Sequence, residues 1–271
     1  HKKTIKKIIE KFNPGNHIAM DLSDSVEKIL EENKDLTNPH LAALIHRTAR
    51  KKINHMDLYE IEKHHANKVL LQNYEHWQKM VNKSSDPFHF AAKLAVAGNI
   101  IDYGAHTAEY EIENQIMDLI QNPFVIDETD KLHKAINAAS TVLYLADNAG
   151  EMIFDKLFIQ TFRHYNVTYA VRGNAVINDV TMKDAEFGKL QEVASVISNG
   201  NDAPSTILEL CSDEFLDCFN HSDVIISKGQ GNFEGLMNCG KENIFFMLMA
   251  KCDPIAELLK VQKGSMLITN R

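Results

Sequence analysis

VLYLADNAGE, residues 142–151, sets an apolar run directly against a group of oxygen-bearing side chains. Val142 to Ala146 is short, uncharged and free of turn residues, as a strand buried on both faces would be. Asp147, Asn148, Ala149, Gly150 and Glu151 end the run, and the stretch Glu151–Arg163 that follows has helical length. The same grammar repeats downstream. Apolar runs at Val167–Val171, Val193–Ile197, Val224–Ser227, Ile244–Met249 and Met266–Ile268 are mostly separated by stretches of helical length, such as Met182–Leu190. Strand-helix alternation of this kind predicts an α/β fold, a Rossmann-like, mostly parallel sheet with helices on both faces.

Upstream the grammar differs. Of the 12 glycines, three precede residue 140 and nine follow it, whereas 11 of the 13 histidines precede it. Residues 56–84 carry a helical stripe: Leu58, Ile61, His65, Val69, Tyr74, Trp77 and Val81, at spacings mostly of three or four. Pro87, after Ser84-Ser85-Asp86, suits the first turn of a further helix. Residues 2–12, 18–33 and 40–53 read as helices too, bounded by Asn13-Pro14-Gly15 and Asn38-Pro39. The expected organisation is an all-helical domain over 1–140, which can interleave with the core, and an α/β domain over 141–271.

Bulk chemistry narrows the function. The formal net charge is -8, so no overall positive field draws nucleic acid or a lipid surface. No apolar run reaches the roughly 18 residues a membrane span needs, and the basic segment His1–Lys7 lacks the apolar stretch of a signal peptide. The chain begins with His1 rather than Met, which leaves its native start open. Cys211, Cys218, Cys239 and Cys252 form no C-x-x-C pair and have no zinc spacing. A cytoplasmic protein with reduced thiols is the expectation.

In an open α/β sheet, ligands bind beyond the carboxyl ends of the strands. There the sequence places Asp147, Asn148 and Glu151, then Arg172-Gly173-Asn174 with Asn178-Asp179, then Gly200, Asn201 and Asp202, then Lys228 and Gly229. Each has an ordinary reading. Asn148 with Glu151 is also a helix-capping pattern, Asp179 lies just before a helix that Thr181 and Asp184 can cap, and Lys228 can reach from a buried strand to solvent. Taken together, two carboxylates and an amide oxygen (Asp147, Asp179, Asn148) make a hard donor set suited to a divalent metal, manganese or magnesium, with nickel or cobalt as further choices. Lys228 or Arg172 would then balance phosphate charge. Glu151, Arg172, Gly200, Asn201, Asp202 and Gly229 are the substrate-side candidates.

Other motifs carry less. Gly229-Gln230-Gly231 opens like a dinucleotide fingerprint, but its third glycine, Gly235, comes one residue late. As a turn that lets backbone approach a ligand it fits. His64 and His65 are adjacent on a helix and face different ways, and Arg50-Lys51-Lys52 is a solvated helix face.

In order and spacing, Asp147–Glu151, Arg172-Gly173-Asn174 with Asn178–Thr181, and Ser227–Glu234 resemble the signatures of the metal-dependent damage-control phosphatases, first catalogued as domain of unknown function 89. Gly98–Asp102 and Ala250-Lys251-Cys252 are similar to further signatures of that family. The resemblance runs from about residue 86 to the C-terminus and is to the small microbial subgroup, whose members often carry a Cys pair near their start that this chain lacks. It implies a helical N-terminal domain on a Rossmann-like core, a metal at Asp147, Asn148 and Asp179, and Lys228 at the phosphate. It also implies that Asn99 and Asp102 line the cleft from the helical side, which spacing alone does not give.

The expected activity is metal-dependent hydrolysis of phosphomonoesters of small metabolites, such as sugar phosphates arising as damaged or side products. Asp147 and Lys228 are the expected catalytic pair, with attack by water or by Asp147 left open. The partner is a small phosphorylated metabolite, and the sequence does not fix oligomeric state. The alternatives are an S-adenosylmethionine-dependent methyltransferase, against which the first strand lacks the usual glycine-rich loop, and a metal- or metabolite-binding module without turnover.

Overall fold

The structure is a computed structural model, and it describes residues 1–100, 109–162 and 166–270. The strands are β1 (Ile126–Asp127), β2 (Val142–Leu145), β3 (Val167–Val171), β4 (Ser195–Ser198), β5 (Val224–Lys228), β6 (Ile244–Met249) and β7 (Met266–Thr269). Six of the seven match the apolar runs. β1 does not: two residues carry too little pattern to be read.

Among the described residues the strands form one sheet in the order β1-β7-β6-β5-β2-β3-β4. β2 runs parallel to β3 and to β5, β3 to β4 and β5 to β6, while β7 is antiparallel to β6 and parallel to β1. The order therefore reverses between β2 and β5, the switch point where α/β sheets open a ligand crevice. Leu145 lies opposite both Ala170 and Ser227, so the ends of β2, β3 and β5 are level.

Thirteen α-helices are described. The first seven are α1 (Lys2–Phe12), α2 (Asn16–Glu32), α3 (Asn38–Ile53), α4 (Glu60–Gln72), α5 (Tyr74–Lys83), α6 (Pro87–Ala97) and α7 (Glu109–Gln121). The others are α8 (Thr129–Ala138), α9 (Glu151–Thr161), α10 (Met182–Phe187), α11 (Asp213–His221), α12 (Gly229–Leu236) and α13 (Asp253–Leu259). The 56–84 stripe is two helices rather than one, broken at Asn73, and Ile61 is 69% exposed while Val69, Trp77 and Val81 are buried.

The sheet is covered on both faces. One face buries Val142, Tyr144, Tyr169, Ile226 and Met247 against α4 to α9; the other buries Leu143, Leu145, Ile225 and Phe246 against α11, α12 and α13. Burial of each large apolar side chain stabilises by roughly 1.5–3 kcal/mol. The helices α1, α2 and α3 close over their own smaller core of Ile5, Ile8, Leu22, Val26, Ile45 and Ala49.

One element from the helical half sits at the centre of the first face. α6 begins at Pro87 in the expected way, with the Asp86 carboxylate accepting from the His89 N–H at 3.0 Å. Its Ala91, Ala92, Ala95 and Ala97 are fully buried and small enough to bring it close to α9. At its end Gly98 is forced by that approach: a Cβ there would lie 2.8 Å from Phe154 Cδ2. The close packing puts Asn99 over the end of β2.

Candidate active site

Asp147 follows β2 after one residue, Ala146, and Asp179 reaches it through local backbone pairing. The Val180 N–H donates to Asp147 O and the Arg172 N–H to Val180 O, each at 2.9 Å, with Asn148 bridged to Asp179 and Arg172 to Thr181. Residues 178–181 thus lie across the ends of β2 and β3 like a short extra strand. The preceding Ile177 holds φ at 45°, a region that β-branched residues avoid.

Neither Asp179 nor Asn148 caps a helix. Thr181 and Asp184 form the expected capping box at α10, so Asp179 is not its cap. Gly150 is the cap residue of α9, and its N–H is met by Asn67 Oδ1 from α4 at 2.5 Å rather than by Asn148. Asn148 instead turns its amide NH2 onto Asp147 Oδ2 at 2.7 Å and Glu151 Oε2 at 3.0 Å. Asn99 does the same from the other side, at 2.7 Å to each of these oxygens. A carboxylate only accepts, so both amides are oriented with nitrogen inward and oxygen outward.

Arg172, also buried, donates through Nε to Asp179 Oδ2 at 2.7 Å and through NH2 to Asn232 Oδ1 at 2.9 Å. Among the described residues, no hydrogen bond reaches Asp147 Oδ1, Asn148 Oδ1 or Asp179 Oδ1. Gly229 closes the group: with φ at 79°, it lies so near that a Cβ would fall 1.9 Å from Asp147 Oδ2.

Lys228 stands one layer back. It is fully buried, and its three N–H bonds go to Ala95 O at 2.8 Å, Glu151 Oε1 at 2.6 Å and Asp155 Oδ1 at 2.6 Å. Although burial opposes its charge, Asp155 and Glu151 push its pKa above the ordinary lysine value. Asp147 is pushed up to about 7, first by burial and then by the negative charges of Glu151 and Asp179, with Lys251 and Arg172 pulling the other way. Burial likewise raises Asp179, against the opposing pull of Arg172.

Gly200, Asn201 and Asp202 occupy the loop after β4. Asn201 O accepts from the Gly173 N–H at 2.8 Å, and Gly200 holds a φ of 82° against Ser212. Asp202 is turned to α3, where Arg47 NH2 reaches Oδ1 at 2.5 Å and Arg50 NH2 reaches Oδ2 at 2.6 Å. Asp102 lies outside the described residues.

One family model matches nearly the whole chain: that of the damage-control phosphatase ARMT1-like domain, over residues 3–267. The chain belongs to that family. It is 32% identical over 251 residues to a damage-control phosphatase of Archaeoglobus fulgidus, covering 90% of this chain and 86% of the relative. Over 182 residues it is 37% identical to a damage-control phosphatase of Pyrococcus horikoshii, covering 66% of this chain and 63% of that one. An uncharacterised protein of Methanocaldococcus jannaschii is 35% identical over 240 residues, 85% of this chain and 79% of its own length. The crystal structure of a domain-of-unknown-function-89 protein from Pyrococcus horikoshii superposes with a TM-score of 0.91 at 30% identity, over 100% of this chain and 96% of that one. Phosphatase, a hydrolase, is the activity for which this family and two of these relatives are named. Among the described residues, no helix is long and apolar enough to cross a membrane.

Within this family fold, Lys251 is the site residue that sequence reasoning quoted in a motif but did not select. Its Nζ donates to Asn99 O at 2.7 Å, its charge is felt at Asp147, and its side chain is exposed, unlike Lys228. Position beyond β6 was the available signal, since that strand end is the neighbour of Lys228. Asp155, Tyr144 and Asn67 were likewise unread, because buried polar residues inside apolar runs show no pattern of their own. Among the described residues, no three His, Cys, Asp or Glu side chains gather as a metal cluster. The donor set at the mouth is two carboxylates and an amide, with excess negative charge held in a buried place.

Proposed function

We propose that this chain is a metal-dependent phosphomonoester hydrolase acting on small damaged or side-product metabolites such as sugar phosphates. The observation that carries the reading is the convergence of Asp147, Asn148 and Asp179 at the β2/β5 switch point, each with one oxygen uncommitted among the described residues. These residues fit a divalent ion. Their oxygens are hard donors, and the rise of Asp147 to about 7 marks negative charge that a cation would neutralise. Manganese or magnesium suits the set, with nickel and cobalt as alternatives.

When bound, the ion would supply Lewis-acid polarisation of a phosphoryl oxygen. Asp147, Asn148 and Asp179 would hold it, and Arg172 keeps Asp179 oriented through Nε. Lys251 is the cation placed to meet remaining phosphate charge, since Lys228 has all three N–H bonds engaged behind Glu151. Transferring phosphoryl groups are stabilised chiefly by such charge placement. Asn99 brings the helical half to the same mouth, so that half shapes which metabolite fits.

The test is a phosphatase screen over sugar phosphates, phosphopantetheine derivatives and nucleotides, repeated with each metal. Chelation should abolish turnover and manganese should restore it. Asp147→Ala should lower kcat on the best substrate by about 100-fold or more. Full metal-dependent activity in that variant would overturn the assignment.

A further inference from the structure

Behind the mouth lies a layer of charge that no substrate reaches. Glu151, Asp155, Tyr144, Tyr169 and Lys228 are all 0% exposed. Asp155 accepts from Tyr144 OH at 2.7 Å and Lys228 Nζ at 2.6 Å on Oδ1, and from Tyr169 OH at 2.8 Å on Oδ2. Lys228 passes a further bond to Glu151 Oε1, and Glu151 Oε2 accepts the amide NH2 groups of Asn148 and Asn99.

Every link in this series has a fixed polarity. Hydroxyls and an ammonium donate, carboxylates accept, and the amides have only their NH2 to offer a carboxylate. The arrangement therefore determines which atom Asn148 shows to the mouth. Charge balance alone does not call for Asp155. Lys228 and Glu151 alone would make a neutral buried pair, and a second buried carboxylate adds desolvation cost. What Asp155 adds is attachment: Tyr144 and Tyr169 lie opposite one another on the adjacent strands β2 and β3, both interior to the sheet.

We propose that Asp155 is a positioning residue, anchored to the sheet by Tyr144 and Tyr169, that acts through Lys228 and Glu151 to aim the Asn148 amide oxygen at a bound divalent metal. This rests on the metal site proposed above. Asp155 touches neither metal nor substrate, and Lys228 serves as the connecting cation of the same series.

The experiment is calorimetric titration of the full chain with manganese ion alone, without substrate, alongside thermal melting and circular dichroism. The wild type should bind one ion per chain and Asp147→Ala should not. Asp155→Asn, which keeps shape but removes charge, should weaken the dissociation constant about 10- to 100-fold, the usual cost of losing an outer partner of a metal ligand. The double variant Tyr144→Phe with Tyr169→Phe leaves every charge in place and should weaken it about 10-fold. Should Asp155→Asn fail to fold, the tyrosine pair decides. Folded variants that bind manganese within twofold of the wild type would overturn the positioning role and leave the metal site standing. A wild type that binds no ion, or an Asp147→Ala variant that binds normally, would overturn the metal site itself and the positioning role with it.

Discussion

Asp147 is a buried carboxylic acid at the proposed metal site. Its carboxyl is raised to about 7 by burial beside Glu151 and Asp179, against an ordinary value of 3.8. A metal held at the proposed site would have to displace that proton, so its affinity should fall about tenfold for each pH unit below 7 and level off above it. The stability consequence has a definite sign. The folded chain holds this proton more tightly than the unfolded chain, so without metal Asp147 makes the protein less stable as pH rises from about 4 to about 7. Manganese at the proposed site would relieve that cost, and the manganese-induced rise in Tm should grow from pH 5.5 to pH 7.5. In Asp147→Asn the rise should be small and flat with pH. An equal rise at both pH values in the wild type would show that Asp147 does not meet the ion. The strand-end positions of Asp147, Asn148, Asp179 and Lys228 were legible because each follows an apolar run or a short polar turn after one. Their partners were not. Asn148 does not cap α9 because the cap position falls later, at Gly150, with no side-chain cap among the described residues and Asn67 of α4 accepting from the Gly150 N–H. Whether Lys228 meets solvent depends on Asp155 and Ala95 O, which no local spacing reveals.

At the scale of elements, the contact between α6 and α9 places half of the site. Asn99 reaches Asp147 and Glu151 only because Gly98 lets the end of α6 approach Phe154 and the Glu151 backbone, with a Cβ position 2.8 Å from one and 3.4 Å from the other. Phe154 is fully buried and cannot swing aside. Gly98→Ala should therefore lower stability by about 1–3 kcal/mol, as overpacking does, and should weaken manganese binding as Asn99 is displaced. Denaturant unfolding and calorimetry read the two effects. A variant as stable as the wild type with unchanged manganese binding would show that the approach is not required. The helix Pro87–Ala97 was readable from Asp86 and Pro87, which mark its first turn, but its role was not: nothing in its alanine-rich face says that it lies on α9. β4 was expected at Val193–Ile197 and is found at Ser195–Ser198, because Leu190–Glu192 forms a 3-10 turn that draws Val193 out of the ladder. β1 was unreadable for its length, and its pairing with β7 is set by the far end of the chain.

At the scale of the molecule, α3, part of the small core with α1 and α2, is tied to the loop after β4 by ion pairs. Asp202, beyond β4, receives Arg47 and Arg50 of α3, and Arg50 also donates to Ala175 O in the loop that leads to Asp179. Ala43 of α3 packs with Ala203 and Ile207, a small apolar patch beside the ion pairs. Burial works against the Asp202 charge, but Arg47 and Arg50 together hold its carboxyl below the ordinary value. The contribution is thus complete above the ordinary carboxylate pKa and is lost as pH falls through the lowered one. The side chains of Asp202 and Arg50 are 7% and 15% exposed, whereas that of Arg47 is 56% exposed. Arg47→Ala should accordingly cost less than about 1 kcal/mol. Asp202→Asn leaves Arg50 without its carboxylate in a half-dry place and should cost about 2–3 kcal/mol, below the range for a fully buried pair. The loss should be local, because α1 to α3 keep their own core and the sheet keeps its two. Hydrogen exchange in Asp202→Asn should accelerate at Ile5, Leu22 and Ile45 while β2 and β5 stay protected. Exchange rising equally in α1–α3 and in the sheet would mean that the helical layer and the α/β core unfold as one unit, and that Asp202 is part of the core rather than its fastening.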